Sequence, residues 1–306
     1  MINRRGFLKT TAALSGVGVG SALSSVARAA EVKYPGYENN VQDRLWMWGH
    51  GAGSTKGRYA LPAGGDIQPA EAISYMGIPN VCMIRWQNIP EPPFDEYVKQ
   101  FANTKRLAWS VIDNARQSYG EKKRMAFELA RKMPNLTSLY LDDFFHHGAV
   151  PKPGRDEAPA ALTVAGVQAL VKEAAAQERR LDVSVVLYDY QLNPAIVRHI
   201  DLCDVVSFWT WKATDLVNLQ RNFETYRTIV PNKRTLLGIY MWNFGNSKPI
   251  PIELMEHQCS LGLRWLKEGK IEGMIFHCTP LCDMKLEAVE WARSWIAHHA
   301  KEVVGT

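Results

Sequence analysis

The stretch Leu139-Tyr140-Leu141-Asp142-Asp143-Phe144-Phe145 is the starting point, because its apolar strand pattern runs directly into two adjacent carboxylates. A short apolar run of this kind is typical of a strand buried on both faces of a parallel sheet. In parallel α/β folds the chemistry collects where such strands end. The stretch therefore predicts a buried strand whose carboxyl end carries Asp142 and Asp143 towards a site.

Strand-like and helix-like segments alternate on both sides of this stretch. The predicted strands are 45–50, 81–86, 107–113, 136–143, 183–189, 205–211, 235–242 and 271–279. The predicted helices are 69–76, 94–105, 121–133, one from 163, one from 193 or 194, 214–230, 252–267 and 286–299. Eight such units in about 260 residues match the size and repeat number of a (β/α)8 barrel. Alternating units also suit an open doubly wound sheet, but the count of eight, and the absence of a GxGxxG or GxxxxGK[ST] turn after the first strand, favour the TIM barrel.

The alternation of side-chain direction along the predicted strand 136–143 distinguishes its two acids. Leu139 and Leu141 have the spacing of a face packed on helices, which directs Tyr140 and Asp142 to the barrel axis and leaves Asp143 at the strand edge. Two carboxylates this close do not both ionise freely, so one protonated acid near neutral pH is expected.

In a barrel all eight strand ends face one mouth, where catalytic groups gather. The residues that we expect there, besides Asp142 and Asp143, are Trp48, His50, Arg85, Trp86, Asp113, Tyr188, Asp189, Trp209, Trp211, Tyr240, Trp242, Asn243 and His277. Aromatic rings stack on the C–H faces of sugars, and carboxylates, Asn and Arg bind their hydroxyl groups. Carboxylates also supply the acid and the nucleophile or base that glycosidic cleavage needs. The pattern predicts a carbohydrate substrate.

The roles follow from these side-chain types. Asp142 or Asp143 is expected to act as acid/base or nucleophile, with Asp189, one strand away, as the second carboxylate. Arg85 and His50 are expected to bind substrate. Four tryptophans are expected to stack on sugar rings: Trp48, Trp209, Trp211 and Trp242.

The acid pair that closes the fourth strand and the Trp/Tyr-rich mouth resemble the barrel glycoside hydrolases, over the whole length after the leader. The resemblance implies a hydrolase of glycosides on a TIM barrel. The chain departs from two patterns of that group. Tyr240-Met241-Trp242-Asn243 has no carboxylate at the seventh strand, and the fourth strand lacks the spacing and the Glu of a chitinase-like DxxDxDxE motif. Which residues pair in catalysis therefore stays open.

The first residues have the order of an export signal. A basic start is followed by an apolar, Gly/Ser-rich stretch and Ala27-Arg28-Ala29, an A-x-A cleavage pattern. Arg4-Arg5 followed by Phe7-Leu8-Lys9 resembles the twin-arginine family of bacterial export signals. That resemblance implies the twin-arginine export machinery as a partner and a periplasmic or secreted location. The expected domains are a signal peptide at 1–29, a polar lead-in at 30–43 and the barrel at 44–306.

Charge and cysteine usage exclude several classes. Arg4, Arg5, Lys9 and Arg28 supply four of the five net positive charges, so the chain after the leader is near +1 and its charge indicates neither nucleic acid nor an anionic membrane as partner. The leader is short and interrupted by Gly and Ser, so no stable membrane anchor is expected. The five cysteines form no CxxC pair and favour buried thiols, although Cys278 and Cys282 have the spacing for a disulfide. No cofactor is expected.

Two other functions compete with glycoside hydrolysis. A metal-dependent sugar isomerase, epimerase or hydrolase would use a mixed nitrogen and oxygen site. Its candidate ligands are His50, His146, His147 and His277 with Asp142, Asp143 and Asp189, although no HExxH motif is present and His146-His147 has the character of a surface loop. Alternatively, a barrel without catalysis could present the aromatic mouth to a glycan.

Overall fold

The computed structural model describes residues 37–304, so the predicted signal peptide at 1–29 and the first half of the predicted lead-in, 30–36, lie outside the described residues. Eight parallel strands form one closed barrel in chain order. They are β1 Leu45–Gly49, β2 Asn80–Met83, β3 Arg106–Ile112, β4 Leu136–Leu141, β5 Asp182–Tyr188, β6 Val205–Trp209, β7 Arg234–Tyr240 and β8 Gly273–His277. Pairing of β8 with β1, which sets Trp48 opposite His277, closes the ring. The predicted TIM barrel is confirmed, and the open sheet is excluded.

Seven α-helices accompany the strands within the described residues. They are α1 Pro69–Met76, α2 Tyr119–Lys132, α3 Val164–Ala175, α4 Val197–Ile200, α5 Leu219–Ile229, α6 Ile252–Lys267 and α7 Glu287–His299. The predicted helix 94–105 is only a 3-10 helix, Tyr97–Phe101. It follows Pro90, Pro92 and Pro93, which lack the amide donors that a helix needs in its interior.

Local sequence explains where the helices begin. Ser118 caps α2 with its hydroxyl, which accepts from the Glu121 amide, while the Glu121 carboxylate accepts from the Ser118 amide. Thr163 caps α3 by accepting from the Gly166 amide. These caps fix the first residues of α2 and α3, the helices that precede and follow β4.

Ionic side chains fill the end of the barrel where the strands begin. Arg234 lies between Asp182 and Glu272, with its Nη1 at 2.5 Å from Asp182 Oδ2 and its Nε at 2.6 Å from Glu272 Oε2. Arg106 Nη2 lies 3.3 Å from Asp43 Oδ2, and both side chains are buried. A cavity of only about 100 Å³ remains at this end. Substrate-sized space is therefore found at the opposite end, where β4 delivers its acids.

The described cysteines are all buried free thiols, including Cys278 and Cys282. Burial raises the pKa of the Cys278 thiol well above its usual value. Within residues 37–304, none of the helices has the length and apolar character that a membrane span requires.

Candidate functional site

A cavity of about 430 Å³ opens at the end of the barrel where the strands finish. Ten of the expected mouth residues line it: Trp48, His50, Trp86, Asp142, Asp143, Tyr188, Trp209, Trp211, Tyr240 and His277. Thr55, Tyr59, Tyr190 and Phe244 complete the lining. The cavity combines two carboxylates with a wall that is otherwise mostly aromatic, and this composition suits a ligand with both apolar faces and polar groups.

Asp142 and Asp143 enter the cavity from the end of β4. Asp142 is 6% exposed, whereas Asp143 is exposed to solvent. Burial, followed by the negative charges of Asp143 and Asp113, raises the pKa of Asp142 well above its usual range. Asp142 is therefore a carboxyl group that holds its proton at a pH where ordinary carboxyls have lost theirs, as a general acid must.

The backbone of Asp143 is in the left-handed region, with φ of +44°. Residues other than glycine are uncommon in this region, and aspartate is among those that enter it most readily. The conformation turns the chain away from the strand direction at the point where two successive side chains must both reach one cavity. Tyr188 Oη, at the end of β5, donates to Asp143 Oδ1 over 2.8 Å.

His50 and His277 lie beside Trp48 on the far side of the barrel from the acids. Trp48 Nε1 donates to His50 Nε2 over 3.1 Å, and His50 Nδ1 lies 2.9 Å from the Ile84 carbonyl oxygen. Because a carbonyl only accepts, Nδ1 carries the proton and Nε2 accepts, so both nitrogens of a neutral ring are engaged. Burial lowers the pKa of His50 to about 4 and that of His277 well below its usual value.

His277 retains one unused polar atom. Its Nδ1 is buried and has no hydrogen-bond partner among the described residues, and the same holds for the Thr55 hydroxyl. Both residues line the cavity. Buried polar atoms without partners are uncommon in native proteins, so these two atoms are available to a bound polar molecule.

The aromatic wall depends on a close approach between strands. The Trp209 ring lies directly over Gly238 of β7, where a Cβ atom would come within 2.0 Å of Trp209 Cε3. Trp209 Nε1 donates to Ser207 Oγ over 2.9 Å, which fixes the plane of the ring. The ring then meets Trp48 at 5.1 Å and Tyr240 at 5.1 Å between centroids.

The loop between β1 and α1 adds Thr55 and Tyr59 to the cavity. Asp283 holds this loop, since its carboxylate accepts from the amides of Gly65, Asp66 and Ile67 over 2.6, 2.9 and 3.0 Å. Trp242 Nε1 donates to the Tyr59 carbonyl oxygen over 3.1 Å. Trp242 thus positions a loop of the site and does not line the cavity.

Four more of the expected residues also lie outside the lining: Arg85, Asp113, Asp189 and Asn243. Asp113 forms a buried ion pair with Lys122, with 2.7 Å between Asp113 Oδ1 and Lys122 Nζ. Arg85 donates through Nε to the Pro90 carbonyl oxygen over 3.0 Å and lies over the Phe94 ring. Arg85 therefore pairs with none of the acids through a hydrogen bond.

Asp189 turns away because a 3-10 helix, Asp189–Gln191, begins as soon as β5 ends. Its carboxylate accepts from the Tyr190 amide over 3.0 Å. The structure thus brings Asp142 and Asp143 together in the cavity and leaves Asp189 outside it. Asn243 is buried behind the residues that line the cavity, and its backbone amide donates to the Lys248 carbonyl oxygen over 3.0 Å.

Sequence reasoning missed Thr55, Tyr59 and Phe244, whereas Tyr190 belongs to the predicted end of the fifth strand, directly after Tyr188 and Asp189. The first two belong to a Gly-rich loop, and Phe244 opens the 3-10 helix Phe244–Asn246 that follows β7. The only available signal was position, since each follows the end of a strand that was itself predicted to reach the mouth.

The metal alternative meets an obstacle in the geometry. His50, His277 and Cys278 offer ligand atoms within 4.8 Å of one another. However, both nitrogens of His50 are engaged, and the raised pKa of Cys278 favours the thiol over the thiolate that binds metals. His146 and His147 are exposed and lie outside the cavity lining. These donors do not fit a resident metal ion well.

No protein-family model matches the chain, and no curated protein matches it either. Among solved structures, it is similar to a candidate alpha-L-fucosidase from Bacteroides thetaiotaomicron, with 10% identity, a TM-score of 0.56, and coverage of 88% of this chain and 99% of the other. It is also similar to active domain 2 of a chitinase from Pyrococcus furiosus, with 11% identity, a TM-score of 0.51, and coverage of 87% and 99%.

An alpha-L-arabinofuranosidase from Thermotoga maritima has 11% identity, a TM-score of 0.51, and coverage of 88% of this chain and 73% of the other. These structural neighbours are glycoside hydrolases. At such low identity the likeness establishes a shared barrel fold, and the function has to be argued from the site.

Proposed function

We propose that this protein is an exported glycoside hydrolase that cleaves a carbohydrate with Asp142 and Asp143. One observation carries the proposal: adjacent carboxyl groups, one buried and one exposed, line a single aromatic cavity at the barrel mouth. Barrel enzymes perform their chemistry at this end.

Asp142 is the proton donor in this account. The raised pKa favours the protonated form of the Asp142 carboxyl, which transfers its proton to the glycosidic oxygen as the bond to the anomeric carbon breaks. General acid catalysis of this kind contributes roughly 10²–10⁴-fold to the rate. The positive charge that develops on the sugar ring is then stabilised by the carboxylate of Asp143.

The aromatic rings bind and orient the sugar. Trp211 makes an edge contact with Tyr188 at 6.0 Å, and Tyr190, which is 54% exposed, stacks on Tyr188 at 5.4 Å. These rings present flat apolar faces at the cavity entrance, where the C–H face of a pyranose packs well. The unpartnered atoms of His277 and Thr55 accept hydrogen bonds from sugar hydroxyls or donate hydrogen bonds to them.

The test is hydrolysis of a broad panel of polysaccharides and aryl glycosides by the protein without residues 1–29, with Asp142→Asn and Asp143→Asn run beside it. Asp201→Asn is the matched control, because Asp201 is exposed and precedes β6, at the opposite end of the barrel. Loss of activity on a polysaccharide, whose leaving oxygen needs a proton, in both cavity variants, with activity kept in Asp201→Asn and in EDTA, supports the proposal. Asp189→Asn in the same series tests the role expected for Asp189.

Two other results would replace the proposal. Activity that EDTA abolishes would favour the metal-dependent reading. Retention of glycans without turnover, weakened by Trp209→Ala, would favour a binding protein.

Export through the twin-arginine machinery is also part of the proposal, supported by Arg4-Arg5 and the Ala27-Arg28-Ala29 pattern. Replacing Arg4 and Arg5 by lysine should leave the full-length chain in the cytoplasm of a bacterial host. Fractionation of wild type and variant tests this, and equal export of both would contradict it.

A further inference from the structure

The two acids of the cavity stand on one wall. Asp142 and Asp143 are adjacent residues at the end of β4, and they are the only carboxylates among the described residues that line the cavity. Direct displacement at a sugar needs two carboxyl groups on opposite faces of the anomeric centre, about 5–5.5 Å apart in retaining and about 6.5–9.5 Å in inverting enzymes. The strand across the closed ring from β4 is β8, which contributes the imidazole of His277 and no acid.

Neither Tyr188 nor His277 makes a good substitute for the absent carboxylate. Tyr188 stands on the neighbouring strand, and its hydroxyl already donates to Asp143. Burial and nearby negative charge raise the pKa of Tyr188 well above 10, so the nucleophilic phenolate is disfavoured. Burial lowers the pKa of His277 far below its usual value, which makes it a weak base for activating water. The nucleophile is therefore expected to come from the substrate.

We infer that the sugar in this cavity carries a 2-acetamido group, whose carbonyl oxygen attacks the anomeric carbon while Asp142 and Asp143 assist from one wall. This inference rests on the proposed glycoside hydrolase function. Substrate-assisted hydrolysis is a known chemical route to retention without an enzyme nucleophile. It needs a general acid and a partner for the amide N–H on the same side of the site, as an adjacent pair supplies.

The first step of this reaction closes an oxazoline ring on the sugar. The acetamide carbonyl oxygen forms a bond to the anomeric carbon as the bond from that carbon to the glycosidic oxygen breaks. The leaving oxygen takes its proton from Asp142, and the amide N–H hydrogen-bonds to Asp143 and passes its proton to that carboxylate. The product is a neutral oxazoline.

In the second step water attacks the anomeric carbon and loses a proton to Asp142. The bond from the anomeric carbon to the oxazoline oxygen breaks, and the nitrogen recovers its proton from Asp143. The sugar is released with its original configuration, and both acids return to their starting states.

The aromatic wall provides a place for the acetamide methyl group. Trp48, Trp209, Tyr240 and His277 face one another with ring centroids between 5.0 and 5.9 Å apart. All four residues line the cavity, so a methyl group that packs against this side of the cluster loses contact with water and gains apolar contact. A 2-hydroxyl group at the same point would gain much less.

The experiment compares 4-nitrophenyl glycosides of 2-acetamido sugars with the matching 2-hydroxy sugars, in the gluco and galacto series, using the protein without residues 1–29. A second series replaces the N-acetyl group by mono-, di- and trifluoroacetyl groups, which progressively weaken the carbonyl nucleophile. We expect turnover of the acetamido sugars alone and a fall in kcat/KM on the order of tenfold for each fluorination step. Calorimetric titration with the thiazoline analogue of the oxazoline should show binding that Asp143→Asn weakens and Asp201→Asn does not.

The possible outcomes distinguish failure of this inference from failure of the proposed glycoside hydrolase function. Hydrolysis of 2-hydroxy glycosides, or a rate indifferent to fluorination, would overturn the inference and leave the glycosidase function in place. Absence of hydrolysis on both series and on the polysaccharide panel, together with absence of thiazoline binding, would overturn both.

Discussion

The Tyr188 hydroxyl donates a 2.8 Å hydrogen bond to Asp143, a residue whose backbone is itself in the left-handed region. Two constraints from different strands thus fix this carboxylate: the turn that ends β4 and the phenol that ends β5. Since Tyr188 is buried and Asp143 is exposed, the phenol is the more rigid partner. The orientation of the acid pair therefore depends on Tyr188.

Tyr188→Phe should lower kcat while changing KM little, because it removes the hydrogen bond and keeps the ring. Loss of a hydrogen bond to a charged group costs roughly 1.5–3 kcal/mol, which corresponds to a rate decrease of about 10- to 150-fold. Steady-state kinetics on the best substrate measure this. Tyr119→Phe, at the start of α2 and outside the cavity, is the control that should keep full activity. A Tyr188→Phe enzyme with unchanged kcat would remove Tyr188 from the account.

Stability should fall as the pH drops from about 6.5 to about 4, because burial lowers the pKa of His50 from 6.5 to about 4. Between these two pH values the unfolded state binds a proton at His50 and the folded state does not. The contribution of His50 to the free energy of unfolding is therefore complete above its pKa in the unfolded state and is lost as the pH falls through its pKa in the folded state. A shift of this size corresponds to about 3 kcal/mol. His277, whose pKa is also lowered, acts in the same direction. Urea unfolding at pH 7 and pH 4.5 tests this. The difference in the free energy of unfolding between the two pH values should be smaller in His50→Gln than in the wild type. An equal difference in the variant would contradict this role of His50.

Gly238→Ala should destabilise the barrel and distort its aromatic wall, because the new Cβ would lie 2.0 Å from the Trp209 ring. Overpacking of a filled core costs typically about 1–3 kcal/mol. Gly120→Ala is the matched control, since Gly120 lies in α2 with open space around a Cβ. That change should be neutral or stabilising by up to about 1 kcal/mol. Denaturant midpoints compare the two, and equal effects would show that the close approach at Gly238 is unimportant.

Lys122→Met should destabilise the fold by about 3–5 kcal/mol, because it leaves the buried carboxylate of Asp113 without its partner. The double variant with Asp113→Asn removes that unpaired charge and should recover part of the loss. Urea unfolding of the two single variants and the double variant measures the coupling. Additive losses would show that the ion pair contributes little.

Local pattern was sufficient to predict the barrel and the position of its central acids. Apolar runs marked all eight strands, and the period of two directed Asp142 towards the axis, where the structure places it in the cavity. Both follow from short-range rules of strand geometry. Ten of the residues expected at the mouth line the cavity, since a strand that ends at the mouth carries its last inward side chain there.

The remaining assignments depended on contacts that local pattern does not contain. Asp113 ends its strand as expected, but Lys122 from the following helix pairs with it. Asp189 is redirected by the 3-10 helix that starts at the same residue. Tyr59 reaches the cavity on a loop that Asp283 and Trp242 hold, more than 180 residues away in the chain. Side-chain capture and loop anchoring are long-range events.

The role of Asp142 as proton donor is tested most directly by measuring how the activity of the Asp142→Asn variant depends on the leaving group of the substrate. Asp142→Asn should hydrolyse a 2,4-dinitrophenyl glycoside with a kcat/KM close to that of the wild type, because that leaving group departs without a proton and kcat/KM reports the cleavage of the glycosidic bond. The kcat/KM of the same variant should fall roughly 10²–10⁴-fold on a methyl glycoside or an oligosaccharide, whose leaving oxygen needs a proton. A loss of equal size on both kinds of substrate, or none on either, would contradict the assignment of Asp142 as the catalytic acid.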